Sequence, residues 1–114
     1  AMRAYASIAM ELLMMAGFQR GEAAHVVINF MISKGVKADG RRTWTGATVA
    51  NWRDQCRAGK AAIFTQEIWG EHDFSQYVFQ STDKGKLKAV ILNQLGGVLV
   101  AIRAADPPSN LPTG

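Results

Sequence analysis

Apolar residues recur at helical spacing over the first third of the chain. Two stripes keep the three- and four-residue spacing of one helix face: Ile8, Leu12 and Met15 in residues 2–16, and Ala24, Val27, Ile28 and Met31 in residues 20–34. Gly17 and Gly35 follow these segments, and glycine often ends a helix in the left-handed conformation. The pattern therefore predicts two helices, over residues 2–16 and 20–34.

A third helix is predicted between Thr45, a residue type that caps helix N-termini, and Gly59, which ends it. Its two sides differ in character. The side expected to face the core is an apolar stripe of Val49, Trp52 and Cys56. The opposite side carries small and polar residues, namely Ala47, Thr48, Asn51, Asp54 and Gln55.

The C-terminal half is harder to interpret. A fourth helix is predicted over residues 61–69, with the core candidates Ile63, Phe64, Ile68 and Trp69. Residues 73–92 fit either a helix or a β-hairpin that turns at Asp83-Lys84-Gly85. The helix is favoured, because apolar residues continue at helical spacing over residues 86–103. Gly96-Gly97 opposes it, since each glycine costs about 1 kcal/mol relative to Ala, but this small pair would permit close helix approach within the chain or across a dimer.

These segments predict an all-α fold, a small helical domain of about five helices that contains a helix-turn-helix unit. We expect one domain over residues 2–105, with the helix-turn-helix unit at about residues 20–58 and a C-terminal packing or oligomerisation part at about residues 60–105. Residues 106–114 are rich in proline and are expected to form a flexible tail. Ala1 resembles a residue left by tag removal, so the native start is expected at Met2.

Positive charge is concentrated in residues 34–60. This stretch holds seven Lys and Arg residues and two Asp, a net charge of +5. The whole chain of 114 residues carries 13 basic and 9 acidic side chains, a net charge of +4, so the remainder sums to about −1. Local positive charge of this kind is typical of a surface that binds a polyanion.

Other classes of function find little support. Cys56 is the only cysteine, which excludes an intramolecular disulfide and a cysteine-based zinc site, and no metal or cofactor is expected. Glu71-His72-Asp73 has acid and base types, but adjacent residues point in different directions, so no enzyme activity is expected. The apolar run of residues 89–102 contains Asn93, Gln94 and two glycines, and we judge it too short and too polar to span a membrane. A cytoplasmic protein is expected.

The third helix has the residue types that read DNA. Gly46, Ala47 and Ala50 would let its backbone approach the major groove closely. Asn51 and Gln55 can pair bidentately with adenine, and Thr48 can bond a base or meet a thymine methyl group. The expected base contacts are Ala47, Thr48, Asn51 and Gln55.

Phosphate contacts would set affinity and register, and they are expected from Lys37, Arg41, Arg42, Arg53, Arg57 and Lys60. Asp54 lies on the same face. We expect it to form a salt bridge with Arg57 or to discriminate against misplaced phosphates.

Residues 23–52 resemble the helix-turn-helix segment of the large serine recombinases, and also small prophage-type DNA-binding proteins. The residues that carry the resemblance are Ala23-Ala24, Met31-Ile32-Ser33-Lys34-Gly35-Val36, Gly40-Arg41-Arg42-Thr43-Trp44-Thr45-Gly46-Ala47-Thr48-Val49 and Trp52. In order along the chain, the shared features are a helix that ends in a small residue followed by Gly and an aliphatic residue, a basic loop that contains glycine, and a Trp. A Thr that caps the next helix and a Thr-Val pair inside that helix complete the pattern. The resemblance implies that Trp44 and Val49 pack the unit together and that Thr45 caps the helix facing DNA.

The resemblance implies the binding mode and not recombination chemistry. The recombinase catalytic domain has no counterpart in the residues before the first helix, and the loop between the second and third helices is longer than in a tight helix-turn-helix. We therefore expect a bacterial or prophage transcriptional regulator, or a recombination accessory factor, that binds double-stranded DNA. The alternative is a protein-interaction module or structural adaptor whose C-terminal helices, with Trp69, Tyr77 and Phe79, support homodimerisation or partner docking.

Overall fold

Five α-helices make up the structure, a computed structural model that describes residues 2–36, 44–72, 74 and 83–105. They are α1 (Met2–Met15), α2 (Arg20–Ser33), α3 (Gly46–Arg57), α4 (Ile63–Glu71) and α5 (Lys84–Ala105). The described ranges contain no strand, so the predicted all-α class is confirmed. The hairpin interpretation is wrong for its second half, because residues 84–92 are helical. Its first half, with Tyr77 and Phe79, and the tail of residues 106–114 lie outside the described residues.

The first helix is the centre of the fold, because α2, α3, α4 and α5 all pack against it. Its fully buried residues include the small Ala4 and Ala6, which let neighbouring helices approach closely, and the large Met10 and Leu13. A helix covered on several sides needs apolar residues around most of its circumference. The one acidic residue of α1, Glu11, is also buried, at 8% exposed.

The first three helices end in the same way. Gly17, Gly35 and Gly59 have φ angles of 107°, 81° and 71°, a region that side chains other than glycine rarely adopt. The backbone hydrogen bonds at each end form a Schellman motif. After α3, for example, the N–H of Lys60 donates to the carbonyl of Gln55 at 2.8 Å, and the N–H of Gly59 donates to the carbonyl of Cys56 at 3.2 Å. The predicted ends of these helices are confirmed.

The third helix buries the stripe that the sequence predicts. Val49, Trp52 and Cys56 are all buried, and they face α1 and α2 together with the smaller residues of the same side. Thr45 is the N-cap, and its backbone N–H donates to Thr48 Oγ1 at 3.2 Å as part of a capping box. The predicted cap and inward face are therefore confirmed.

The fourth helix corrects the sequence prediction of its core residues. Ile68 and Trp69 are partly buried against the core, but Ile63 and Phe64 are 75% and 78% exposed. The start of α4 is attached to the end of α3 by Gln66, whose Nε2 donates to the carbonyl of Cys56 at 2.9 Å and whose Oε1 accepts the N–H of Ala61 at 3.2 Å. Polar hydrogen bonds, and not the apolar side chains of the first turn, thus make this contact.

The fifth helix packs on α1 through Leu87, Ile91 and Leu95, which are buried and spaced four residues apart. Gly96 lies against α2, where an added Cβ would come 3.2 Å from Cζ of Phe30. The missing Cβ of Gly96 thus leaves room for the Phe30 ring, and the close helix approach expected of the glycine pair stays a prediction.

The fifth helix is also longer than the apolar run judged from sequence, because it begins at Lys84. By length and composition alone, Lys84–Ile102 could cross a membrane, and only 22% of its most apolar window is buried. The prediction that this part of the chain is too short and too polar to span a membrane is therefore wrong. A single helix of this kind remains weak evidence for membrane insertion, since core helices of soluble proteins meet the same criterion.

Burial predicts opposite effects for two aliphatic truncations. Leu13→Ala should lower the free energy of unfolding by about 2–5 kcal/mol, because Leu13 is fully buried in α1 and its removal leaves a cavity. Ile63→Ala should change it by less than about 0.5 kcal/mol, because the side chain is already in water. Urea unfolding followed by circular dichroism measures both. Equal losses would show that α4 is packed differently.

Candidate nucleic-acid interface

The exposed side of α3 brings the expected base-contact residues onto one surface. Ala47, Asn51 and Gln55 are exposed, and Thr48 is half-buried. We call these four residues the polar face of α3. They are held outward because Val49, Trp52 and Cys56, on the other side of the same helix, are buried.

Trp44 fixes the segment that leads into α3. Its ring meets the ring of Trp52 edge-on, with 5.2 Å between centroids, and the guanidinium of Arg3 lies 5.3 Å from the centroid of Trp52 on α3. The hydroxyl of Thr48 also holds this segment, because its Oγ1 accepts a hydrogen bond from the backbone N–H of Thr45. Thr48 can still donate its hydroxyl hydrogen to a ligand.

Two of the small residues of α3 do not serve the purpose expected from sequence. Gly46 and Ala50 are buried, and a Cβ added to Gly46 would lie 3.1 Å from Nδ1 of His25 on α2. These residues allow α2 and α3 to pack closely. The expectation that they admit DNA is wrong, and Ala47 alone among the three is exposed.

Arg53 was expected to contact phosphate, and the structure places it elsewhere. Its side chain is only 12% exposed, its Nε donates to Glu11 Oε2 at 2.7 Å, and its Nη1 donates to Asp54 Oδ1 at 3.1 Å. Burial alone would lower the pKa of Arg53, but the hydrogen bonds to these two carboxylates outweigh it and raise the pKa. The guanidinium stays charged and ties α3 to α1, so it does not face a ligand.

Other expected phosphate contacts remain accessible or fall outside the described ranges. Arg57 donates through Nη1 to Glu11 Oε1 at 2.7 Å, yet its side chain is 60% exposed. Lys60 is exposed just beyond the end of α3. Lys37, Arg41 and Arg42 lie outside the residues that the structure describes. Among the described residues, Arg57 and Lys60 are therefore the expected phosphate contacts that remain exposed.

Asp54 pairs differently from the sequence expectation. Its carboxylate forms ion pairs with Arg20, the first residue of α2, and with its neighbour Arg53, whereas Arg57 pairs with Glu11. The hydrogen bond from Arg20 is the main reason that the pKa of Asp54 lies below its ordinary value of 3.8. Burial opposes this shift, and Arg53 adds to it. This negative charge beside the polar face is thus compensated by two guanidinium groups.

Sequence reasoning missed Glu11 and Arg20. A signal existed for Glu11, because it is the only acidic residue of an otherwise apolar helix and falls between Met10 and Leu12. A buried carboxylate in such a place requires a cationic partner. No local pattern indicates Arg20, since its partner Asp54 lies 34 residues away in the chain.

Glu71, His72, Asp73 and Cys56 are residues whose types suit acid–base or metal chemistry. His72 is half-buried and meets the ring of Phe74 edge-on at 4.6 Å, Glu71 is exposed, and Asp73 lies outside the described ranges. Burial raises the pKa of the Cys56 thiol, as suits a buried apolar role. Within the searched ranges, no group of three or more His, Cys, Asp or Glu side chains is placed to hold a metal ion.

Comparison with protein-family models, curated proteins and solved structures found no match for this chain.

Loss of the Glu11 carboxylate should destabilise the fold. Glu11→Gln leaves Arg53 buried without its main partner, which should cost about 2–3 kcal/mol, below the usual range for a broken buried pair because Asp54 still contacts Arg53. Glu67→Gln removes the same charge from an exposed position and should cost less than about 0.5 kcal/mol. Urea unfolding at pH 7 compares the two. A Glu11→Gln variant as stable as Glu67→Gln would contradict the pairing.

The Asp54 ion pairs should make stability depend on acid pH. Because the folded pKa of Asp54 is lowered, its contribution is fully present above about pH 4 and is lost as pH falls through the folded pKa. Asp54→Asn should therefore be slightly less stable than the wild-type chain at pH 7, by under about 1 kcal/mol because Asp54 and its main partner Arg20 are 41% and 51% exposed. Thermal unfolding from pH 7 to pH 2 should show the two converging. A difference in stability that stays constant with pH would mean that the ion pairs do not lower the pKa of Asp54.

Proposed function

We propose that this chain binds double-stranded DNA and that α3 enters the major groove with its polar face toward the bases. The observation that carries the proposal is the polar face itself, where amide, hydroxyl and methyl groups are exposed on a helix whose other side is buried. Asn51 and Gln55 offer the paired donor and acceptor that recognise adenine, and Ala47 offers a methyl group to thymine.

The dimensions of α3 suit this role. It has 12 residues and is therefore about 18 Å long, and the major groove of about 12 Å width admits one α-helix. The helix is anchored by Trp52 and Val49 in the core and by ion pairs to α1. A rigidly held helix loses little freedom on binding, which favours affinity.

Positive charge near α3 supports a polyanionic partner. Among described residues, Arg57 and Lys60 are exposed at its C-terminal end, and the preceding loop adds Lys37, Arg41 and Arg42 in sequence. These cations would contact phosphates and set affinity, whereas the polar face would set sequence preference. By its resemblance to the large serine recombinase segment, the protein would act as a transcriptional regulator or a recombination accessory factor.

A second candidate, a protein-interaction module, is favoured by apolar side chains outside α3. Ile63 and Phe64 on α4, and Val90 and Val100 on α5, are all exposed. Such residues suit contact with a second copy of the chain or with another protein. The two functions are compatible, since a dimer would present two copies of α3 to a two-fold-related DNA site.

Titration of labelled duplex DNA at several salt concentrations tests the DNA-binding proposal. The logarithm of the association constant should fall linearly with the logarithm of salt concentration, with a slope that counts several phosphate contacts. Asn51→Ala should reduce the preference for the best sequence, selected from a random pool, by about 1–3 kcal/mol. Asn93→Ala, an exposed asparagine on α5, serves as the matched control and should change nothing.

Two outcomes would contradict the proposal. If no duplex binds at low salt while light scattering shows self-association, the interaction module is the better account. If DNA binds but Asn51→Ala keeps the full sequence preference, the polar face of α3 is not the surface that reads the bases.

A further inference from the structure

Five charged side chains form one continuous chain of ion pairs around α3. It runs from Arg20 on α2 to Asp54 and Arg53 on α3, crosses to Glu11 on α1 and ends at Arg57, back on α3. Its middle members Arg53 and Glu11 are 12% and 10% exposed, whereas the guanidinium side chains at its two ends, Arg20 and Arg57, are 51% and 60% exposed. The network is thus anchored inside the protein and presents a cation at each end.

The Arg20 end of the network lies beside the polar face, and the Arg57 end lies farther round α3, about 120° from Asn51. With 3.6 residues per turn, Arg53, Asp54 and Arg57 fall within about 100° of one another on α3, and Asp54 lies about 60° from Asn51. Arg20 reaches the same flank, because its Nη2 bonds to Asp54 Oδ2. A cation that sequence reasoning did not select is therefore held next to the surface proposed to read DNA.

Each end retains donors for a ligand. A guanidinium carries five N–H donors. Among the described residues, Arg20 uses one nitrogen, Nη2, for its hydrogen bond to Asp54, and Arg57 uses one, Nη1, for its bond to Glu11. Guanidinium groups that are at least half-exposed and keep donors not used in these two bonds suit the oxygens of a phosphodiester, which they can bind bidentately.

We propose that Arg20 and Arg57 form a phosphodiester-binding site on this flank of α3, oriented before DNA arrives by Asp54 and Glu11 respectively. The inference rests on the proposed DNA binding and adds to it a contact from the start of α2. The network has three positive and two negative members, so it keeps a net charge of +1 and attracts an anion. Because the carboxylates already hold the side chains, binding orders fewer rotamers and loses less entropy.

The first test replaces Arg20 by Gln and measures affinity for one duplex across a salt series. Arg20→Gln should weaken binding about tenfold at low salt and reduce the salt slope by about 0.9, the value of one phosphate contact. Lys88→Gln, an exposed lysine on α5, removes the same charge elsewhere and should change neither quantity appreciably. Circular dichroism checks that Arg20→Gln folds, as expected for a half-exposed pair.

A double-mutant cycle then tests whether Asp54 positions Arg20. Removing the carboxylate with Asp54→Asn frees Arg20 from its fixed orientation, so it should weaken binding about threefold in the wild-type background. In an Arg20→Gln background, the same change has no Arg20 orientation to disturb, and Arg53 stays bonded to Glu11, so the loss of a charge that repels phosphate should strengthen binding. If Asp54→Asn strengthens binding equally in both backgrounds, Asp54 only repels DNA and the positioning role is wrong.

The failures of the two proposals can be told apart. If the wild-type chain binds no duplex at low salt, both the proposed function and this site are overturned. If the wild-type chain binds while Arg20→Gln and Lys88→Gln behave alike, DNA binding stands and only the Arg20 contact is overturned.

Discussion

The arrangement of the molecule depends on how α3 is rotated about its own axis. The stripe of Val49, Trp52 and Cys56 sets that rotation approximately, and Glu11 sets it closely, because one buried carboxylate accepts hydrogen bonds from both Arg53 and Arg57. A shift of one residue would turn α3 by about 100° and leave the Glu11 carboxylate buried without these partners, which costs several kcal/mol. The polar face is outward because the alternatives bury charge without compensation.

The two halves of the chain use α1 in different ways. On the side of α2 and α3, contacts to α1 combine close packing with ion pairs, which fixes position in detail. On the side of α4 and α5, Leu87, Ile91 and Leu95 provide an apolar contact, while Ile63, Phe64 and Val100 stay exposed. The first half therefore suits a rigid recognition surface. The second half leaves apolar side chains exposed, as a surface that associates with another protein chain would.

Local signals were sufficient for the helix ends and the inward face of α3, because glycines at positive φ and three- and four-residue spacing act over a few neighbouring residues. They failed where the deciding partner is distant in sequence. Arg53 has the composition of a phosphate contact, but Glu11, 42 residues away, draws it inward. Gly46 has the composition of a groove-facing residue, but His25 fills the space beside it. The start of α4 contacts the end of α3 through the Gln66 amide and not through Ile63, a polar contact that apolar periodicity does not indicate.

The central claim is that the polar face of α3 and the adjoining Arg20 are the surface that meets DNA. Amide chemical shifts of the ¹⁵N-labelled chain, recorded as a duplex is added at low salt, test it residue by residue. The account predicts that the largest changes fall on Ala47, Thr48, Asn51 and Gln55 and at the start of α2, with little change in α5. Changes confined to α4 and α5, or none at any duplex concentration, would contradict it.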